Sequence, residues 1–149
     1  FTLFAYKSED NFSFEPTAPY HYQNTLASFK FAHKFSEKMS SNLVLGTSSY
    51  KNDESEKDNM NPEDAFFLNS SLDYKLARLD FNWTPKENHN LDFGLNYVRY
   101  FIEPGNIEHI GTKSKIVDFS VDNEKAAEIS AYISDDIAIT PLLSVQTGL

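Results

Sequence analysis

Cysteine is absent from the 149-residue sequence, which excludes a disulfide framework and any zinc site built on thiolates. The sequence also has no run of about 18 apolar residues, so it predicts no transmembrane helix. Only 13 residues are Lys or Arg against 22 Asp or Glu, and the net charge is −9. Because binding to phosphate backbones needs clustered cations, we expect no nucleic-acid partner.

Catalytic and metal-binding motifs are missing as well. The sequence contains no Gly-rich phosphate loop, no nucleophile elbow and no HExxH pair. The adjacent acids Asp135 and Asp136 would point to opposite faces of a strand, so they cannot share one substrate. We therefore predict no enzyme activity, no catalytic residue, no cofactor and no metal site. The four histidines are scattered over different segments: His21, His33, His89 and His109.

The most acidic segment is "NDESEKDNMNPED", residues 52 to 64. Several carboxylates could hold calcium, but the spacing and turn glycine of an EF-hand are absent. A solvated loop is the favoured interpretation.

Alternation with a period of two residues dominates the chain. Apolar residues occupy one parity and polar residues the other in the segments 24–35, 77–83 and 91–97. Such alternation predicts strands with one apolar and one polar face. The segment "NEKAAEISAYISDDIA" has some helical propensity, but its isoleucines share one strand parity, so it too is predicted as a strand. Asp135 breaks that parity, which predicts a bulge or an interfacial position there.

Seven strands are predicted, at 1–14, 21–35, 42–51, 66–84, 90–102, 125–139 and 144–149. The connections at 36–41, 85–89 and 140–143 are short, whereas those at 52–65 and 103–124 are long and polar. Similar phrases recur at the short ones, "KFSEKMSSNLVLG", "NWTPKENHNLDFG" and "AITPLLSVQTG". The connection near 15–20 is short where a long one is expected. Apart from it, short and long connections alternate, which predicts an antiparallel up-and-down sheet.

This asymmetry is typical of a bacterial outer-membrane β-barrel, with short periplasmic turns, long external loops and aromatic girdles. A soluble β-sandwich also alternates, but its strands seldom exceed about ten residues. We predict an all-β transmembrane barrel. Its girdle would contain Phe35 and Trp83, with Tyr97 and Tyr100 as further candidates. Its lipid face would contain Phe29, Phe31, Leu79, Phe81, Leu91, Phe93 and Leu95.

The opposite parity would face the lumen. Most polar groups there would satisfy one another or water, and a few would contact a plug or a passing solute. The predicted lumen residues are Lys30, Lys34, Arg78, Asp80, Asn82, Asp92 and Asn96.

The sequence begins inside one predicted strand, "FTLFAYKS", and stops inside another, "SVQTGL". Bacterial single-chain barrels use even strand numbers, and seven strands are predicted here. We therefore expect residues 1–149 to be a partial barrel domain, a contiguous piece of a larger barrel.

The segment "AYISDDIAITPLLSVQTGL" resembles the barrel of TonB-dependent outer-membrane receptors, in which a Tyr, acidic residues, a Pro-containing turn and a closing Gly-Leu recur. "FTLFAYKSEDNFSFEPTAPYHYQNTLASFKFAHKFSEKM" and "NHNLDFGLNYVRYFIEPG" are similar in style to receptors of this family from Bacteroidota.

This resemblance implies a barrel of about 22 strands closed by an N-terminal plug, which is not visible in this chain. It also implies import of a scarce nutrient: an iron chelate, cobalamin, a glycan or a peptide. The implied partners are membrane lipid, the rest of the barrel and its plug, the TonB complex through the plug, and a surface lipoprotein. Two alternatives stay open, a small stand-alone outer-membrane barrel for adhesion or membrane integrity and a soluble β-sheet binding domain.

Overall fold

Strand pairing in this protein follows the order of the chain. A computed structural model describes residues 1–15, 17–57 and 61–149. β1 to β5, β7 and β8 lie side by side in one open antiparallel sheet, while the short β6 pairs only with β5, so the predicted all-β, up-and-down architecture is confirmed. In these ranges the strands are β1 (Thr2–Ser13), β2 (Pro19–Ser36), β3 (Met39–Glu56), β4 (Phe66–Lys86), β5 (His89–His109), β6 (Phe119–Ser120), β7 (Glu124–Thr140) and β8 (Leu143–Gly148).

Two strands, β3 and β5, extend at least five residues beyond their predicted ends. β3 continues five residues past the predicted end at 51, because its acidic end pairs with apolar residues of β4, for example Glu54 with Leu68. The acidic segment is therefore partly strand, which corrects the prediction of a loop over 52–64; residues 58–60 lie outside the described part. β5 continues to His109, and β6 was not predicted. The segment with mixed propensity is strand β7, as predicted.

The connections sort by length between the two ends of the sheet. Two-residue turns at 37–38, 87–88 and 141–142 lie at one end, and the segments 14–18, 57–65 and 110–123 lie at the other. The segment 14–18 lies at the end of the long connections but is only five residues long, so the predicted exception, a short connection where a long one is expected, is confirmed. Each short turn is accompanied by a register shift, and no described non-glycine residue has positive φ, so these turns are not type I′ or II′.

Neighbouring short turns are joined by backbone hydrogen bonds. Thr84 N donates to Lys38 O at 2.8 Å, and Ala138 N donates to Asn88 O at 2.9 Å. In each case the amide lies just before one turn and the carbonyl lies in the preceding turn. The recurring sequence phrases therefore build a repeating, hydrogen-bonded rim.

The two faces of the sheet divide by residue number. Across the central part of the sheet, odd-numbered residues pair with odd-numbered ones: Phe29 with Leu45, Leu45 with Ala77, Ala77 with Tyr97, and Tyr97 with Ile129. Side chains alternate along a strand, so the odd-numbered residues of this central part share one face and the even-numbered residues share the other. We call these the odd face and the even face.

The sheet is a single layer with almost no core. Among the described apolar residues only Ala65 and Val98 are buried. The accessible surface is 10809 Å², whereas a compact protein of this mass would expose about 7,700 Å². The described helical structure is a three-residue 3₁₀ turn, Pro62–Asp64, and none of it is long or apolar enough to cross a bilayer.

Candidate functional site

A continuous apolar band runs across the odd face near the short turns. Phe81 and Phe93 stack at its centre, with ring centroids 5.1 Å apart. Leu95 is 57 % exposed and Ile129 is 79 % exposed, although both are large apolar residues. All seven predicted lipid-facing residues lie in the band. Its members are Leu3, Phe29, Phe31, Leu43, Leu45, Leu79, Phe81, Leu91, Phe93, Leu95, Ile129 and Ile133.

The predicted girdle residues lie in two different places. Phe35 and Trp83 are on the odd face beside the short turns, and Tyr97 is on the same face at the other border of the band. Tyr100 was assigned wrongly: it lies on the even face, where its ring meets Tyr74 at 5.6 Å. Its aromatic character suggested a girdle, but its even number places it on the polar side.

Two polar features interrupt the odd face near the short turns. His33 lies between the rings of Phe31 and Phe35, as its parity predicts. Asp135 has no bulge at its position; instead, its Oδ2 is 2.7 Å from Nδ1 of His89. The second Asp135 oxygen is buried, and it has no hydrogen-bond partner among the described residues. Asp135 therefore lies on the odd face beside the short turns, paired with His89 and without a bulge, while Asp136 faces the other way.

The predicted lumen residues come together on the even face. All seven share that face, and five of them line a cleft of about 580 Å³ near the short turns. The other two, Arg78 and Asn96, are directly opposite each other beside it. The five are Lys30, Lys34, Asp80, Asn82 and Asp92.

Most of the polar groups in this region satisfy one another. Arg78 Nε donates to both Asp80 oxygens, at 2.9 and 2.8 Å, and Tyr132 Oη donates to Asp80 Oδ1 at 2.8 Å. Asn82 Nδ2 donates to Asn90 and to Asp92. These contacts agree with the prediction that most such groups pair within the wall.

The cleft nevertheless retains groups for a partner. Asn42 lines the cleft beside Lys30, and its buried Oδ1 accepts no hydrogen bond from residues 1–15, 17–57 or 61–149. The lysines and the two aspartates give the cleft charges of both signs. Such a surface suits a polar protein segment or a polar solute, because each buried group on it requires a hydrogen bond.

Tyrosine residues form a layer on the even face toward the long connections, and sequence reasoning missed it. Seven of the eight tyrosines have even numbers. The rings of Tyr22 and Tyr50 stack at 6.5 Å. A hydrogen bond to Glu54, together with the charge of that carboxylate, raises the pKa of Tyr20 above its ordinary value of 10.0. The residue numbers could have revealed this layer, because the tyrosines are mostly even-numbered whereas the phenylalanines of the central strands are mostly odd-numbered.

The other histidines make local contacts. His21 Nδ1 is 2.7 Å from Asn11 Oδ1, and His109 Nδ1 is 2.7 Å from Asp118 Oδ1. Within the described part of the chain, no group of three or more His, Asp or Glu residues is arranged to hold a metal ion.

Comparisons with protein-family models, curated proteins and solved structures gave no match to this chain. Its function is therefore inferred from the geometry of the two faces.

Proposed function

We propose that this chain is part of the wall of a TonB-dependent transporter in the bacterial outer membrane, which imports a scarce nutrient. The observation that carries the proposal is the apolar band. It has members on β1 to β5 and on β7, half of these members are exposed and the others half-buried, and no second layer built from the described residues covers it. A soluble domain buries such a face against another layer, whereas a barrel wall presents it to lipid.

The dimensions of the strands support a membrane-spanning wall. On β2 the band members Phe29 and Phe31 lie between Ala27 and Phe35, a stretch of nine residues. On β5 the band begins at Leu91 and, with Tyr97 at its border, extends over seven residues. A tilted transmembrane strand needs about 9–11 residues. β4 and β5 have 21 residues each, so they would extend well beyond the bilayer at the end with the long connections.

The even face supports transport. Its cleft, its polar network and its tyrosine layer would face the lumen, where they would contact the plug or the solute. The plug would connect the wall to the TonB complex, and a surface lipoprotein would deliver the solute from the side of the long connections. Iron chelates, cobalamin, glycans and peptides remain the candidate solutes.

Cell fractionation tests this proposal. An antibody raised against residues 110–123 would be used on separated outer-membrane, inner-membrane and soluble fractions. We expect an outer-membrane band several times larger than 17.0 kDa. An outer-membrane band near 17 kDa would indicate a small stand-alone barrel, and a band in the soluble fraction would overturn the membrane assignment.

A further inference from the structure

A row of cations borders the apolar band on the side of the long connections. Lys75 on β4 and Arg99 on β5 are directly opposite each other on the odd face. Lys125 on β7 is the diagonal neighbour of Arg99, and its Nζ lies 5.5 Å from the centre of the Phe101 ring. We call Lys75, Arg99 and Lys125 the basic row.

The basic row lacks the contacts that usually offset like charges. Directly opposed like charges destabilise a strand pair. Neither Lys75 nor Arg99 has an ion pair or a hydrogen bond from its side chain within the described parts of the chain, and both are exposed. The chain carries a net charge of −9, so acidic partners would have been easy to supply. The arrangement therefore leaves room for an external anion.

The surroundings define the size and the chemistry of that anion. The three cations, Phe101 and the carboxylate of Asp73 line a cavity of about 300 Å³. Lys75 and Arg99 have no acidic residue between them and the band: Ala77 and Tyr97 are the next residues of the odd face. An anion held at the row would thus have an apolar surface on one side only.

We infer that the basic row binds the phosphorylated headgroup of an anionic lipid, whose acyl chains lie along the apolar band. This inference rests on the proposed membrane location. Arg and Lys suit phosphate through charge-assisted hydrogen bonds, and their long stems let the charges reach the headgroup layer from the edge of the apolar surface. Asp73 would lie at the far side of the headgroup, away from the band.

Lipid binding by the full-length polypeptide, purified from outer membranes in a neutral detergent, tests the inference. The wild type and the double variant Lys75→Gln, Arg99→Gln would be titrated with phosphatidylglycerol, with phosphatidylcholine of the same chains, and with inorganic phosphate. Bound lipid is counted by native mass spectrometry. Loss of two cations is expected to weaken phosphatidylglycerol binding about 30-fold.

Two controls separate charge at this place from charge in general. The double variant Lys30→Gln, Lys34→Gln removes the same charge from the even face and should bind the lipid like the wild type. The exchange Lys75→Arg, Arg99→Lys keeps both charges, so it should retain binding and show whether the row tolerates changed side chains.

Three results would overturn the inference. Equal binding of both lipids would mean that the headgroup charge is not recognised. Equal binding by the wild type and the Gln double variant would show that the basic row does not take part in lipid binding. If inorganic phosphate bound as tightly as the lipid, the basic row would be a site for a free anion and not for a lipid headgroup. Each of these results is obtained on protein already located in the membrane, so it leaves the proposed function standing.

Discussion

The ring of Tyr132 lies directly over Gly94 of the neighbouring strand. A Cβ atom at residue 94 would come within 2.7 Å of Tyr132 Cε1 and within 2.7 Å of the backbone oxygen of Leu79. The hydroxyl of Tyr132 extends across β5 and donates to Asp80 on β4. One aromatic side chain thus connects three adjacent strands of the even face, and it can do so only because residue 94 has no side chain.

Replacing Gly94 by Ala should destabilise the sheet by about 1–3 kcal/mol, since the new methyl group overlaps a backbone atom that cannot rotate away. Gly46→Ala is the matched control, because its Cβ would meet Leu76 at an ordinary 3.7 Å. We expect that variant to stay within about 0.5 kcal/mol of the wild type. Unfolding in urea from detergent micelles would measure both, and equal losses would contradict the close contact at Gly94.

Arginine substitutions on the two faces should have unequal effects. Leu95→Arg places a charge at the middle of the apolar band, where a membrane would make it unfavourable by about 2–4 kcal/mol. Ser130→Arg places the same side chain on the even face of β7 and should be tolerated. The yield of folded protein in outer membranes measures the difference. Leu95 is 57 % exposed, so a protein in water should tolerate both changes, and that result would count against lipid at the odd face.

The pair of His89 and Asp135 should show strong coupling in a double-mutant cycle. Either single change to Leu leaves one polar partner unpaired near the apolar band, which should cost about 1–3 kcal/mol. The double change to Leu removes both and should cost less than the worse single change. Lys34 and Glu37 form an exposed pair at 2.7 Å and provide the control, with coupling of about 0–1 kcal/mol. Additive losses at His89 and Asp135 would rule out the coupling.

Low pH should weaken the contact between His109 and Asp118, which holds the connection between β5 and β7. The backbone N–H of His109 donates to Asp118 Oδ1 at 2.8 Å and, with the His109 ring, lowers the pKa of Asp118 below its ordinary 3.8. The carboxylate therefore stabilises the folded arrangement above pH 3.8, and the contribution is lost as the pH falls through the lowered value. Hydrogen exchange of the His109 amide would follow this loss.

Asp118→Asn should abolish that pH step, because the amide side chain does not titrate. Asp122→Asn removes an acid from the same connection and should leave the step unchanged. A step of equal size in both variants would show that another group controls the connection.

Alternation was sufficient to predict seven of the eight strands and the division of their residues between two faces. The seven residues predicted to face lipid share the odd face and the seven predicted to face a lumen share the even face, because side chains alternate along a strand whatever its register. The end of β3 was not predicted because its acidic residues are typical of a loop. Glu54 and Glu56 are part of the sheet because they pair with Leu68 and Phe66 of β4.

Contacts between particular residues of neighbouring strands could not be predicted from the sequence. The overlap of Tyr132 with Gly94, the pairing of His89 with Asp135 and the opposition of Lys75 and Arg99 all depend on register, which two-residue turns and their bulges set. Tyr100 was misplaced because its residue type was given more weight than its parity.

The shared parity of the strands also limits how the length of this chain can change. Removing one residue from the middle of β4 would turn every residue beyond the deletion toward the opposite side, placing Arg78 in the apolar band and Leu79 in the cleft. Removing two residues would leave every side chain on its original face and would change only the length of the strand. A two-residue turn cannot accommodate one residue more or fewer without changing the register, whereas the longer connection 110–123 can. Insertion or deletion of a single residue should therefore be tolerated at the end of the sheet with the long connections. Within the strands, only changes of two residues should be tolerated.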